Sequence, residues 1–221
     1  TMVPFMFQLH ACLRAMLTPD SIHHPCDTGG MNPLMIRDWP LPYVERLAGR
    51  QADGIDLVVI HCTELPDMAM AREFGERIQH PESATGNSGH YYIDRDGSIS
   101  RFVGELRVAH HTFRFNPRSI GIELVNLGRY PNWNDSRHQR MSESYPEAQI
   151  ESLLGLLAQL RRALPGLRWI AGHDALDQRR EPASDNPDLM LARRLDPGPM
   201  FPWARVLTEC GLARWSDTAS P

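Results

Sequence analysis

The sequence predicts a single α/β (α+β) domain, a central mixed β-sheet flanked by helices. Three observations predict it. Strands and helices interleave along the chain instead of segregating. Residues 55–61 (IDLVVIH) form a short β-branched apolar run, the mark of a strand buried on both faces. Ile150, Leu153, Leu154, Leu157, Leu160 and Leu164 fall on one helical stripe. At 221 residues the chain suits one domain with a real core and some chain left at its ends. Residues 1–35 read as a poorly patterned leader, 36–210 as the folded domain and 211–221 as a C-terminal tail.

In chain order, the leader carries His23-His24-Pro25 and Gly29-Gly30 without helical or strand period. After the strand at 55–61, residues 67–78 read as a helix. Residues 90–103 read as a hairpin, because Asp96-Gly97 supplies the positive φ a tight turn needs. Residues 119–125 (SIGIELV) alternate as a strand. The long helix has Pro146 near its start and is stopped by Pro165-Gly166. Residues 167–170 form a strand that delivers Gly172-His173 to a loop. A polar stretch at 177–188 follows, and a last helix opens at Pro202-Trp203.

Composition narrows the function classes. Hydrophobic residues make up 42% and charged ones 23%, both globular values, and no run approaches the ~20 apolar residues that span a bilayer. A net charge of -4 gives no support to binding nucleic acid or an anionic membrane. All 23 cationic residues are Arg; Lys is absent. Cys12, Cys26, Cys62 and Cys210 form no C-x-x-C pair, so free thiols and a reducing, cytoplasmic setting are expected. The first residues lack the basic start of a secretory signal; a signal lying upstream would make the protein periplasmic instead.

Four positions stand out for chemistry. His61 ends a buried strand, where ligands gather in open α/β sheets, although a structural histidine fits the same place. His173 follows another strand. Asp196 is stiffened by Pro197, although DPGP at 196–199 is also an ordinary turn. Two imidazoles and one carboxylate on separate rigid elements match a catalytic zinc set, which leaves its fourth position to water. Glu123 sits mid-strand on the face of Ser119, Gly121 and Val125, costly unless it works or faces water. His110 and His111, read as strand neighbours, would point to opposite faces, so at most one lines a site.

Taken in order, these stretches resemble one family: VVIH with Thr63, SGHYYIDRDG at 88–97, AHH at 109–111, SIGIEL at 119–124, Gly172-His173 and DPGP at 196–199. The resemblance is to AmpD-type N-acetylmuramoyl-L-alanine amidases, with the phage amidases and peptidoglycan recognition proteins. It runs over residues 55–203 and makes 36–210 a zinc amidase domain.

The resemblance implies Zn²⁺ held by His61, His173 and Asp196, with Glu123 as catalytic acid-base. The substrate it implies is the amide between N-acetylmuramic, or anhydro-muramic, acid and L-alanine in peptidoglycan fragments. Relatives without this Glu use a Tyr just before the hairpin histidine; here Gly89 fills that slot and the Glu is present. Arg194 stands where the family has Lys, and stabilises an oxyanion without exchanging a proton. His110 replaces a common aromatic, and with His111 it is a candidate substrate contact. Two rivals remain: a non-catalytic peptidoglycan-recognition module, and a glycosidase pairing Glu123 with Asp94 or Asp96.

Overall fold

A computed structural model of the chain describes residues 34–216. Most of the expected leader, with Cys12 and Cys26, therefore lies outside the described residues. In chain order the strands and helices are β1 (Ile36–Asp38), β2 (Leu57–Cys62), α1 (Met68–Glu76), β3 (Tyr91–Ile93), β4 (Ile99–Arg101) and β5 (Ser119–Leu124). They continue with α2 (Glu147–Ala163), β6 (Trp169–Gly172), α3 (His173–Leu176), β7 (Arg180–Pro182), β8 (Met190–Ala192), α4 (Trp203–Cys210) and β9 (Ala213–Arg214). Seven strands form one mixed sheet in the order β1-β4-β3-β5-β2-β6-β9, and β7 and β8 pair separately. Only the β3–β4 hairpin of the large sheet is antiparallel.

The expected elements form for the expected reasons. Every residue of β2 is buried, as a strand covered on both faces must be. The hairpin turns on Gly97 at φ +86°, a conformation glycine adopts without steric cost. Asp67 caps α1 by accepting the Met70 N–H at 2.8 Å. α2 follows Pro146 and lays Ile150, Leu153, Leu156, Leu157 and Leu160 against the sheet. There Val58 and Ile60 of β2 meet Ile120, Ile122 and Leu124 of β5 in the main core. Burying each such side chain contributes about 1.5–3 kcal/mol.

Because strand side chains alternate, burying Ile60 and Ile122 under the helices turns His61 and Glu123 to the opposite face. β2 and β5 run parallel in a register that pairs His61 with Glu123. One expectation needs correction. The chain beyond Cys210 is no mere tail: β9 adds an edge strand beside β6, and Trp215 is buried against Phe115 and Trp169. Within the polar stretch at 177–188, Arg180–Pro182 forms β7 and pairs with β8. No described helix is long and apolar enough to cross a membrane.

Candidate metal centre and active site

His61 at the end of β2, His173 at the start of α3 and Asp196 on the loop before α4 meet at the sheet's open face. His61 Nδ1 lies 3.1 Å from His173 Nδ1 and 3.0 Å from Asp196 Oδ2, and His173 Nδ1 lies 3.1 Å from that same oxygen. All three residues are buried, and Asp196 Oδ1 has no partner. Asp174 at the head of α3 donates its N–H to the Asp196 carbonyl at 3.0 Å, which joins two of the three elements.

Three ligand atoms this close form one face of a tetrahedron. A zinc at 2.0–2.1 Å from each would space them about 3.3 Å apart. Among the described residues this is the one cluster that meets metal-ligand spacing. Burial and the neighbouring His173 push the His61 imidazole down to about 4. Burial pushes the Asp196 carboxyl up, but His173 and His61 outweigh it and hold it well below the usual range. A neutral imidazole beside an ionised carboxylate is the protonation state that binds a metal. The donor set, the spacing and the orphaned oxygen therefore fit zinc.

Glu123 Oε1 lies 4.0 Å from His61 Nδ1, beside the ligand triangle. Burial, reinforced by the Asp196 charge, lifts its carboxyl to about 8, while Arg194 draws it down. A Cβ at residue 89 would come within 2.8 Å of Glu123 Cγ, so Gly89 is the residue that leaves room for this acid. Arg194 lines the same cleft and acts electrostatically on both His61 and Glu123, and its buried Nε is unpartnered.

The cleft is about 800 Å³ and brings all seven sequence-predicted site residues to one place. The expectation that His110 and His111 cannot both line it fails. The period-2 argument needs a strand, and residues 109–115 form a loop. His110 packs edge-on to His80, with ring centroids 4.4 Å apart. His111 lines the cleft while its ring nitrogens meet groups of the protein itself. Its Nδ1 faces His61 Nε2 at 3.0 Å and Thr112 Oγ1 at 3.0 Å, and its Nε2 faces Ser119 Oγ at 3.2 Å. The glycosidase pairing also fails. Asp94 and Asp96 serve the hairpin turn, where they accept the N–H groups of Arg95 and Ser98, and neither lines the cleft.

Sequence reasoning missed a buried ion pair in the cleft wall. Arg129 forks onto Glu64 at 2.6 and 2.8 Å, and also donates to the carbonyls of Ala192 and Arg193 at 3.4 Å. It thus clamps the end of β2 to the segment that carries Arg194 and Asp196. The partners are 65 residues apart, and no local pattern signals such a pair.

Residues 50–199 match the family model described as N-acetylmuramoyl-L-alanine amidase. The N-acetylmuramoyl-L-alanine amidase AmiD of Escherichia coli K12 is 32% identical over 106 residues, 47% of this chain and 32% of AmiD. The match thus spans about a third of that relative's length. A solved complex of AmiD with anhydro-N-acetylmuramic acid-L-Ala-D-gamma-Glu-L-Lys aligns at TM-score 0.55 and 24% identity, covering 77% of this chain and 62% of that one. The endolysin of phage T7 is 27% identical over 132 residues, 58% of this chain and 82% of its own length. The solved structure of AmpD aligns at TM-score 0.55 and 25% identity, covering 78% of this chain and 93% of AmpD. With this match over residues 50–199, the chain belongs to the N-acetylmuramoyl-L-alanine amidase family.

Proposed function

We propose that this chain is a zinc-dependent N-acetylmuramoyl-L-alanine amidase that releases the stem peptide from muropeptides, anhydro-muramic forms included. The observation that carries the reading is the meeting of two imidazole nitrogens and a carboxylate oxygen, 3.0–3.1 Å apart, with the Glu123 carboxyl 4.0 Å from His61. His61, His173 and Asp196 would hold the zinc. Bound there, zinc supplies Lewis acidity, which lowers the pKa of a coordinated water to about 7.

Glu123 performs the proton transfers. It accepts a proton as the water oxygen bonds to the lactyl carbonyl carbon. It then gives that proton to the alanine nitrogen as the C–N bond breaks, leaving a muramic carboxyl group, which keeps the water's second proton until it ionises, and a free amine. Placed beside the ligand triangle, one carboxyl can take and return the same proton. Arg194, which lines the cleft, would stabilise the oxyanion with its guanidinium. The anhydro-muramic substrate is extended here from the ligand named in the AmiD complex, and peptidoglycan fragments are the partners this reading requires.

The test is mass spectrometry of muropeptide digests with and without a chelator, alongside the Glu123→Gln variant. Peptide released only when metal is present, and lost in the variant, is the expected result. A wild-type protein that retains muropeptide on a column but never cleaves it would establish the recognition-module alternative.

A further inference from the structure

A carbonyl oxygen can only accept hydrogen bonds, and this fixes the protonation of a chain of groups leading to the candidate metal centre. Ser119 Oγ lies 2.8 Å from the Phe115 carbonyl, so the Ser119 hydroxyl donates there. Its oxygen is then free to accept, and His111 Nε2 lies 3.2 Å away. His111 therefore carries its proton on Nε2 and presents Nδ1 as an acceptor. That Nδ1 is 3.0 Å from His61 Nε2, which must then be the protonated nitrogen of His61. A neutral imidazole with its proton on Nε2 has its lone pair on Nδ1, the atom turned toward His173 and Asp196.

The surroundings hold this chain in place. A Cβ at residue 121 would lie 2.6 Å from His111 Cγ, so the ring occupies space that only glycine leaves open on β5. Asn116 Oδ1 accepts the N–H groups of His111 at 3.0 Å and Thr112 at 2.6 Å, which fixes the loop carrying the ring. Thr112 Oγ1 lies beside the pair, 3.0 Å from His111 Nδ1 and 3.4 Å from His61 Nε2. Ser119 is fully buried.

We propose that His111, backed by Ser119, is a positioning residue of the metal centre: it accepts the Nε2 proton of His61 and so aims the His61 Nδ1 lone pair at the ion. The proposal rests on the reading that His61, His173 and Asp196 bind zinc. Groups that orient a metal-ligating histidine in this way govern its tautomer and basicity, and losing one typically costs about 10–100-fold in metal affinity.

The experiment measures zinc affinity of the purified chain by competition with a chromogenic chelator, with folding of each metal-free variant checked by thermal melting. The wild type should bind one zinc and His61→Ala should not. His111→Phe, which keeps a ring but no acceptor, should bind about 10–100-fold more weakly. His111→Asn, whose Oδ1 falls near the place of Nδ1, should recover most of that loss. Ser119→Ala, a smaller change at the next link, should weaken binding in the same direction. Folded His111→Phe and Ser119→Ala variants with wild-type zinc affinity would overturn the proposal. So would His111→Asn as weak as His111→Phe, which would mark the ring as packing alone. A wild type that binds no zinc would instead overturn the metal reading itself, and the positioning role with it.

Discussion

Glu123 holds two roles in tension. Its carboxyl is raised to about 8 because burial and the Asp196 charge disfavour the anion. The ordinary glutamate value is 4.5, so the folded value lies above the unfolded one. Below the unfolded value both states are protonated and folding carries no penalty. Between the two values the unfolded chain loses the proton while the folded one keeps it, so stability falls as pH rises, and the loss is complete above about 8. Metal-free Glu123→Gln should therefore melt at the same temperature as the metal-free wild type at pH 4. It should melt progressively higher from pH 5 to pH 8, by about 2–4 °C per kcal/mol relieved. A difference that stays flat with pH would sink the burial argument. The same variant should lose about 10²–10⁴ of the turnover.

Arg194 is argued at the same scale. Removing one oxyanion donor costs on the order of 10²–10³ in rate. Arg194→Ala should lose about that much kcat with little change in KM, and Arg194→Lys should stay active, measured on a muropeptide with zinc occupancy verified. Glu123 and His61 carried their own signals in the sequence, an acid in an apolar strand and a histidine at a strand end, whereas Arg194 entered only through the resemblance, as the residue in the family's lysine slot. Ser119, Thr112 and His111 carried no such signal as a group. Their roles depend on a loop folding back over Gly121, and the sequence pattern suggested a strand there instead.

At the scale of elements, register decides the site. The parallel pairing of β2 with β5 sets His61 beside Glu123, and a one-residue slip would turn one of them into the core. Long apolar elements of this kind, β2, β5 and α2, were readable from periodicity. Of the shortest strands only β3 and β4 were legible, through the Asp-Gly turn between them; β7, β8 and β9 are too short for any period to show, and β9 lies beside Trp215, which packs on Trp169. The Glu64–Arg129 clamp belongs here too, since it ties the end of β2 to β8 and the segment behind it. Removing one partner of a buried pair leaves an uncompensated charge and costs about 3–5 kcal/mol. Arg129→Met should lower the melting temperature by about 6–20 °C. Glu64→Gln combined with Arg129→Met should recover part of that, because no lone charge stays buried. A double variant as unstable as the single one would show that the clamp acts through packing and its carbonyl contacts instead of its charge pair.

Among the described residues the large sheet has two unlike faces. One is sealed by α2 and α4 over a continuous apolar core, and the other carries two smaller apolar clusters and opens as a cleft around three polar ligands from elements far apart in the chain. The sealed face supplies stability, and the open face gathers like donors that repel when nothing lies between them. His61 and His173 bring ring nitrogens to 3.1 Å of each other, an arrangement that a cation between them stabilises. An ion that binds only the folded state stabilises it by mass action, about 4.1 kcal/mol when it is present at 1,000 times its dissociation constant. In a domain of this size that corresponds to a rise of about 8–16 °C in melting temperature. Stripping the protein with a chelator should lower its Tm by an amount in that range, and stoichiometric zinc should restore it. His61→Ala should melt at one temperature with or without zinc, because it lacks a corner of the triangle. If zinc raised the melting temperature of His61→Ala as far as that of the wild type, the stabilising ion would sit elsewhere. The three converging atoms would then be a hydrogen-bonded cluster of the folded chain and not its metal centre.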